Sequence, residues 1–230
     1  MNLDPQAFTG IKVLAVARIV AAPFAAYQLA MHGADVIRIE HPENGDTSRI
    51  SGFPPTPFQK AQMGHNFVAY NSNTRSMTLR IDTPAGQEVF RRMAKTADVV
   101  LENLKGGTMA RYGIGYADLK QINPRIIYGS MSGFGQDGPY RERPGVDQIA
   151  QGMGGLMSVT GFPGQGPVRA GIAVADVTSG MNCALGVLIA AFFDLADIFL
   201  VLLAGGEPDA AHRRAFDERI AVILQVLQHG

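Results

Sequence analysis

The sequence predicts an α/β fold, a mainly parallel sheet flanked by helices, and three observations carry it. Short apolar runs recur at 11–17 (IKVLAVA), 35–40 (DVIRIE), 98–102 (DVVLE) and 125–130 (RIIYGS), as expected of strands buried on both faces. Helical patterns lie between them, and that alternation is the mark of parallel β-α-β units. A glycine-rich string, Ser132 to Pro139 (SGFGQDGP), follows the run at 125–130. It reads as a loop at a strand's carboxyl end, where open α/β sheets place ligands.

Each element has its own signal. After the strand at 11–17, Ala22-Pro23 opens a helix over 24–32, since proline suits a first helical turn, and Gly33 stands as its C′ residue. The strand at 35–40 completes a right-handed β-α-β unit. Residues 41–65 are rich in Pro, Gly and polar groups and read as a long surface loop of the kind that carries function. Residues 75–81 (RSMTLRI) alternate as a strand. Thr83 caps and Pro84 opens a helix over 85–96. Short helices are expected near 107–112 and 116–121, and a helix with several glycines over 147–158. Residues 161–167 (GFPGQGP) form a second glycine-rich loop, 168–175 are extended, and Asp176 begins an apolar helix to about Phe193.

Composition removes several function classes. Of 230 residues, 47% are hydrophobic, enough for one sizeable core. Twenty Lys and Arg balance twenty Asp and Glu, so net charge favours neither nucleic acid nor an anionic membrane as partner. Cys183 is the single cysteine, which excludes an internal disulfide and suits a reducing cytoplasm. Residues 1–10 lack the basic and apolar runs of a secretory signal. The most apolar region, 183–203, contains Asp194 and Asp197; acids are costly in lipid, so a buried helix followed by a second apolar segment is expected there, not a membrane span.

Cofactor motifs are missing from the sequence. No GxGxxG follows the first strand, so Glu40 at the end of the second reads as a strand-end acid and not a ribose ligand. There is no GxxxxGK[ST] and no GxSxG. The five histidines, His32, His41, His65, His212 and His229, have no metal-ligand spacing, and no metal is expected. Arg18, Arg38, Arg75, Arg80, Lys105 and Arg111 lie near strand ends or loops, where they serve either as phosphate ligands or as solvated surface charges.

Asp176 draws attention among the acids. It follows Ala173-Val174-Ala175 and precedes a helix, so its position reads as an N-cap accepting from the amide of Ser179 or a neighbour. Such donors and the helix dipole are expected to hold it ionised, the nucleophilic form.

A series of local strings in order resembles the class III CoA-transferases, also called the CaiB/BaiF family. They include GIKVL at 10–14, GADVIRIE at 33–40, NSNTRS at 71–76, TPAG at 83–86, DVVLEN at 98–103, NPRIIY at 123–128 and SGFGQDGPY at 132–140. Pro144-Gly145, residues 148–160, and Ala175-Asp176 with Ser179-Gly180 close the series. The resemblance covers about residues 8–191. It implies a Rossmann-like large domain over 1–193, with the family's small domain missing or abbreviated. The remaining 194–230 is divergent: a last strand is expected over 198–203 (IFLVLL) and an amphipathic helix over 207–230.

The resemblance also implies chemistry. Asp176 takes the position of the acyl-accepting carboxylate, which passes through a mixed anhydride and an aspartyl-CoA thioester. Arg18, Ile19, Val20 and Ala21 match one CoA-contacting stretch, and His41 the position of a basic CoA contact. Leu79, Asn103, Leu104, Lys105 and Arg111 match the adenine and phosphate contacts, and Pro144, Gly145 and Val146 line the acyl-CoA channel. No permanent cofactor is implied; acyl-CoA and a carboxylic acid are the substrates, and a cytoplasmic homodimer is the family's assembly. The racemase branch carries a histidine where Val146 stands in Gly145-Val146-Asp147; valine cannot move a proton, so transfer is expected over racemization.

Overall fold

The computed structural model describes residues 6–51 and 57–203, with side chains as far as Phe192. Five strands form one sheet: β1 (Lys12–Val16), β2 (Asp35–Glu40), β3 (Arg75–Thr78), β4 (Val99–Glu102) and β5 (Ile127–Ser130). Their order is β3-β2-β1-β4-β5, and every pairing is parallel. Each strand ladder leaves the next by a helix, because parallel neighbours cannot be joined by a tight turn.

The crossovers are α1 (Ala21–Met31), the short α2 (Pro57–Lys60) and α3 (His65–Asn71), α4 (Pro84–Ala94), and α5 (Thr108–Arg111) with α6 (Tyr116–Ile122). After β5 come α7 (Asp147–Met153), a 3₁₀ turn at Leu156–Val159, and α8 (Val174–Leu203). Thr83 caps α4 as its sequence suggests, its hydroxyl accepting from the Gly86 amide at 3.2 Å.

Successive strand residues point to opposite faces, and the sheet is therefore apolar on both. Val13, Ala15, Val36, Val99, Leu101 and Ile127 pack with α1 and α8 on one side. Leu14, Val16, Ile39, Val100 and Tyr128 pack with Phe90, Ala94, Met109 and Leu119 on the other. Full burial of each large aliphatic side chain contributes about 1.5–3 kcal/mol, so this double-sided core fixes the register of β1 and β4.

Three expectations are corrected here. The strand expected over 198–203 is instead the continuation of α8, which runs unbroken to Leu203: Leu, Ala and Phe propagate a helix well, and no Gly or Pro interrupts 181–203 except Gly186. Residues 65–71, placed at the end of a loop and in a gap, form α3. Asp176 does not begin α8; the helix starts at Val174. The amphipathic helix expected over 207–230 lies outside the described residues. Val174–Phe192 is long and apolar enough to cross a membrane, with mean hydropathy 1.5, but in this fold Cys183, Val187 and Ala190 of that stretch are part of the core against α1.

Candidate active site

The sheet's strand order reverses between β1 and β4, and the crevice at such a switch point is where open α/β folds hold ligands. Two cavities open there. The first, of about 230 Å³, is lined by the ends of β1 and β2 and includes Arg18, Glu40, His41, Asp46, Leu79, Leu104 and Tyr112. The second, of about 360 Å³, is lined by Ala21, Asn103, Ser132, Gly145, Val146, Asp176 and Asn182, among others. Asn103 stands between them: its side chain accepts from the Arg18 amide at 2.8 Å and donates to the Arg18 carbonyl at 2.7 Å, while it also faces the second cavity.

The turn after β1 is held from its other side by a buried ionic cluster. Ile19 adopts φ +65°, a left-handed conformation that a β-branched residue rarely takes. Both Asp46 oxygens accept from its amide, at 3.2 and 3.0 Å. Asp46 also accepts from Ser48 N at 2.8 Å and pairs with Arg38 Nη2. Arg38 is 2% exposed, so it is neither a phosphate ligand nor a surface charge. Its Nη1 lies 2.9 Å from Glu40 Oε1, and Arg49 makes a bidentate pair with Glu40 at 2.8 and 2.6 Å. Both guanidiniums lie over the Phe67 ring, at 4.8 and 3.7 Å. Burial pushes Arg38 below its usual pKa although Glu40 and Asp46 oppose it. Burial also pushes Glu40 up, but the hydrogen bond from Arg49 and the charge of Arg38 outweigh that and hold it below the usual carboxylate range.

Asp176 lies on the first turn of α8. The carboxylate that caps this helix start is Asp147, not Asp176: Asp147 Oδ1 accepts from the amides of Ala175 at 2.8 Å and Asp176 at 3.3 Å. Asp147 Oδ2 accepts from Gln151 at 2.6 Å, and Gln151 in turn binds Ala170 N and Ile172 O. One face of α7 thus ties down the segment that presents Asp176. Among the described residues, no hydrogen bond reaches the Asp176 carboxylate itself. Burial, and then the neighbouring negative charge of Asp147, push its pKa up to about 6. The expectation that amides would hold it strongly ionised is therefore corrected. The group remains mostly ionised at neutral pH and is more basic than an ordinary aspartate, which favours nucleophilic attack.

The remaining sequence candidates divide between the two cavities and their rims. Arg18, His41, Leu79 and Leu104 gather in the first, and Ala21, Asn103, Gly145, Val146 and Asp176 in the second. Ile19, Val20, Lys105, Arg111 and Pro144 line neither: Val20 is buried before α1, and Ile19, Lys105, Arg111 and Pro144 are exposed. Arg75 pairs with Asp35, and Arg80 with Asp82 and Glu43. His41 accepts from the amides of Glu43 and Asn44 at Nδ1, which leaves its Nε2 proton toward Asp82, 3.8 Å away. Val146 is 56% exposed and faces Asp176's cavity with no proton to give.

Sequence reasoning missed Asp46, Asn182 and the capping role of Asp147; Ser132 stood in the glycine-rich string already read as a loop at a strand's carboxyl end. Only Asp46 had a usable local signal: Asp-x-Ser after a glycine is an Asx-turn pattern. The others reach the site through tertiary packing. Gly133 and Gly145 touch back to back, and a Cβ at either would fall 2.3 or 2.4 Å from the other's Cα. That contact brings the SGFG loop and the approach to α7 together around the second cavity.

Comparison with known proteins identifies the family. The family model described as CoA-transferase family III matches residues 8–195. A succinate–glutarate CoA-transferase of Agrobacterium fabrum is 45% identical over 178 residues, covering 75% of this chain and 44% of that protein. The human succinyl-CoA:glutarate CoA-transferase is 37% identical over 180 residues, covering 78% and 40% respectively. The crystal structure of a CaiB/BaiF family protein from Brucella suis superposes with a TM-score of 0.78 at 40% identity, covering 84% of this chain and 51% of that one. The chain thus spans less than half the length of the two curated relatives. Its parallel sheet, its cavities at the strand ends and the family match across residues 8–195 together establish that this chain belongs to CoA-transferase family III.

Proposed function

We propose that this chain transfers CoA from an acyl-CoA to a carboxylic acid through covalent intermediates on Asp176. The observation that carries this reading is an ionisable carboxylate, unencumbered by hydrogen bonds among the described residues and raised to about 6, lining a cavity at the sheet's switch point. Asp176 attacks the thioester carbonyl; the C–S bond breaks, CoA thiolate leaves, and a mixed anhydride remains. The thiolate then attacks the Asp176 carboxyl carbon and expels the donor acid, giving an aspartyl-CoA thioester. The acceptor carboxylate attacks the same carbon and releases the thiolate, which finally takes the acceptor's acyl carbon and frees Asp176. Each step exchanges groups of similar leaving ability, so one difficult displacement becomes several easier ones.

The first cavity, with Arg18 and His41 at its rim, suits the nucleotide end of CoA, and the second suits the acyl end. The named substrates of the relatives support a short dicarboxylate such as succinate or glutarate as partner acid. A homodimer is supported by the apolar side chains that α8 leaves exposed, Met181, Leu185, Leu188 and Phe192. A cytoplasmic location is supported by the single, buried, unpaired Cys183. A second reading, in which the chain binds CoA without turnover, is supported by the two cavities alone, which need only hold a ligand.

Trapping decides between them. Incubation with succinyl-CoA and hydroxylamine is expected to convert Asp176 to a hydroxamate detectable by mass spectrometry, and Asp176→Asn to abolish the adduct. Calorimetric binding of CoA with no adduct from any acyl-CoA would support the binding reading instead.

A further inference from the structure

The cavity beside Asp176 contains a polar group that the protein itself leaves unsatisfied. Ser132 lines this cavity, and its Oγ is buried with no hydrogen-bond partner among the described residues. Ser130, two residues earlier, is fully engaged: its hydroxyl donates to Glu102 at 2.5 Å and accepts from Gln136 at 2.6 Å. An unpaired buried hydroxyl costs about 1–3 kcal/mol, and such groups call for an explanation.

Backbone movement cannot relieve it. On one side Met131 N donates to Glu102 O at 2.9 Å, continuing the β4–β5 ladder. On the other, Gly133 is wedged against Gly145. Rotation about Cα–Cβ is the remaining freedom, and it moves Oγ among staggered positions at small cost. The cavity that this side chain borders is the one that holds Asp176, and a ligand there is the partner within reach of that rotation.

We propose that Ser132 donates its hydroxyl hydrogen to the carbonyl oxygen of the acyl group held beside Asp176. The inference rests on the thioester reading above. As the carboxylate attacks, that oxygen gains negative charge, and a donor already in place stabilises the charge as it forms. Ser132 keeps its proton throughout; no bond is made or broken at Oγ.

The test uses the 230-residue chain and succinyl-CoA isotope-labelled at the thioester carbonyl, read by difference infrared spectroscopy. In the wild type the carbonyl band of the bound thioester lies at lower frequency than in Ser132→Ala. The alanine variant has a thermal midpoint equal to or above that of the wild type, because it loses a hydroxyl that had no partner, and its hydroxylamine-trapped adduct forms roughly a hundredfold more slowly. Identical carbonyl bands in the two proteins overturn the proposal, as does a midpoint lowered by several degrees, which would show a partner inside the protein. Those two results leave the thioester reading standing. Failure of the wild type to bind succinyl-CoA removes that reading, and this one with it.

Discussion

Among single residues, Asp46 combines several roles. Its carboxylate takes the Ile19 amide, the Ser48 amide and the Arg38 guanidinium at once. The first holds a strained turn at the mouth of the first cavity; the last neutralises an arginine sealed from water. Asp46→Ala leaves Arg38 buried with part of its charge unpaired, which costs about 3–5 kcal/mol, and frees Ile19 to leave its left-handed conformation. We expect urea denaturation to show that loss in full, with Arg38→Ala in the same background recovering part of it. Beyond the turn pattern at Asp46, none of this was legible in the sequence, where Arg38 is one of several cations near strand ends. Whether a strand-end arginine faces solvent or is covered depends on where residues 46–49 and Phe67 come to lie, and local spacing does not record that. Asp176 stood out in the sequence as a candidate, but its environment was not legible. The cap that it resembled is supplied by Asp147, a residue distant in sequence.

Among elements, α1 and α8 form the closest helix pair, and Gly180 is the point of nearest approach. A Cβ there would lie 2.5 Å from the Ala21 carbonyl oxygen and 3.3 Å from the Phe24 ring. Two effects oppose each other in Gly180→Ala. Alanine is the better helix former by about 1 kcal/mol, whereas overpacking against a backbone atom costs about 1–3 kcal/mol. The clash is with main chain, which cannot turn aside as a side chain would, so we expect net destabilisation by chemical denaturation. The helices must part there, and α8 carries Asp176 one turn away, so adduct formation at Asp176 is expected to fall as well. Strands β1, β2 and β4 were legible because each is a compact run of aliphatic, largely β-branched residues, and β3 was legible by its alternation. Helix α3 was not, since HNFVAYN has neither a side-chain cap nor the length for a clear periodicity. The end of α8 was misread for the opposite reason. An apolar run such as IFLVLL is compatible with strand or helix, and the choice is made by the helix already propagating into it.

Across the whole molecule, two acids, buried Glu102 and half-buried Asp176, shape the response to pH. Burial pushes Glu102 up to about 7, although its hydrogen bonds with Ser130 and Leu104 N favour the charged form. Asp176 is pushed up to about 6. Both folded-state values exceed those of the unfolded chain, so the folded protein binds more protons between about pH 4 and 7. Stability is therefore expected to fall as pH rises across that window. Glu40 acts in the opposite sense, but only at lower pH, since its pKa is held below the usual range. Urea midpoints measured from pH 4.5 to 8 should decline in the wild type and change less in Glu102→Gln with Asp176→Asn. A wild-type profile that climbs through this range would contradict the assigned environments.

The central position of β1 has a consequence for synthesis. Val13 pairs with Val36 soon after it is made, yet its other neighbour, Val99, is far along the chain. Until β4 emerges from the ribosome, one edge of this apolar strand is an open ladder of amides and carbonyls. The nascent chain therefore passes through a stage at which it is a substrate for chaperones and a template for wrong pairing, and the long interval between β1 and β4 makes this a slow-folding topology.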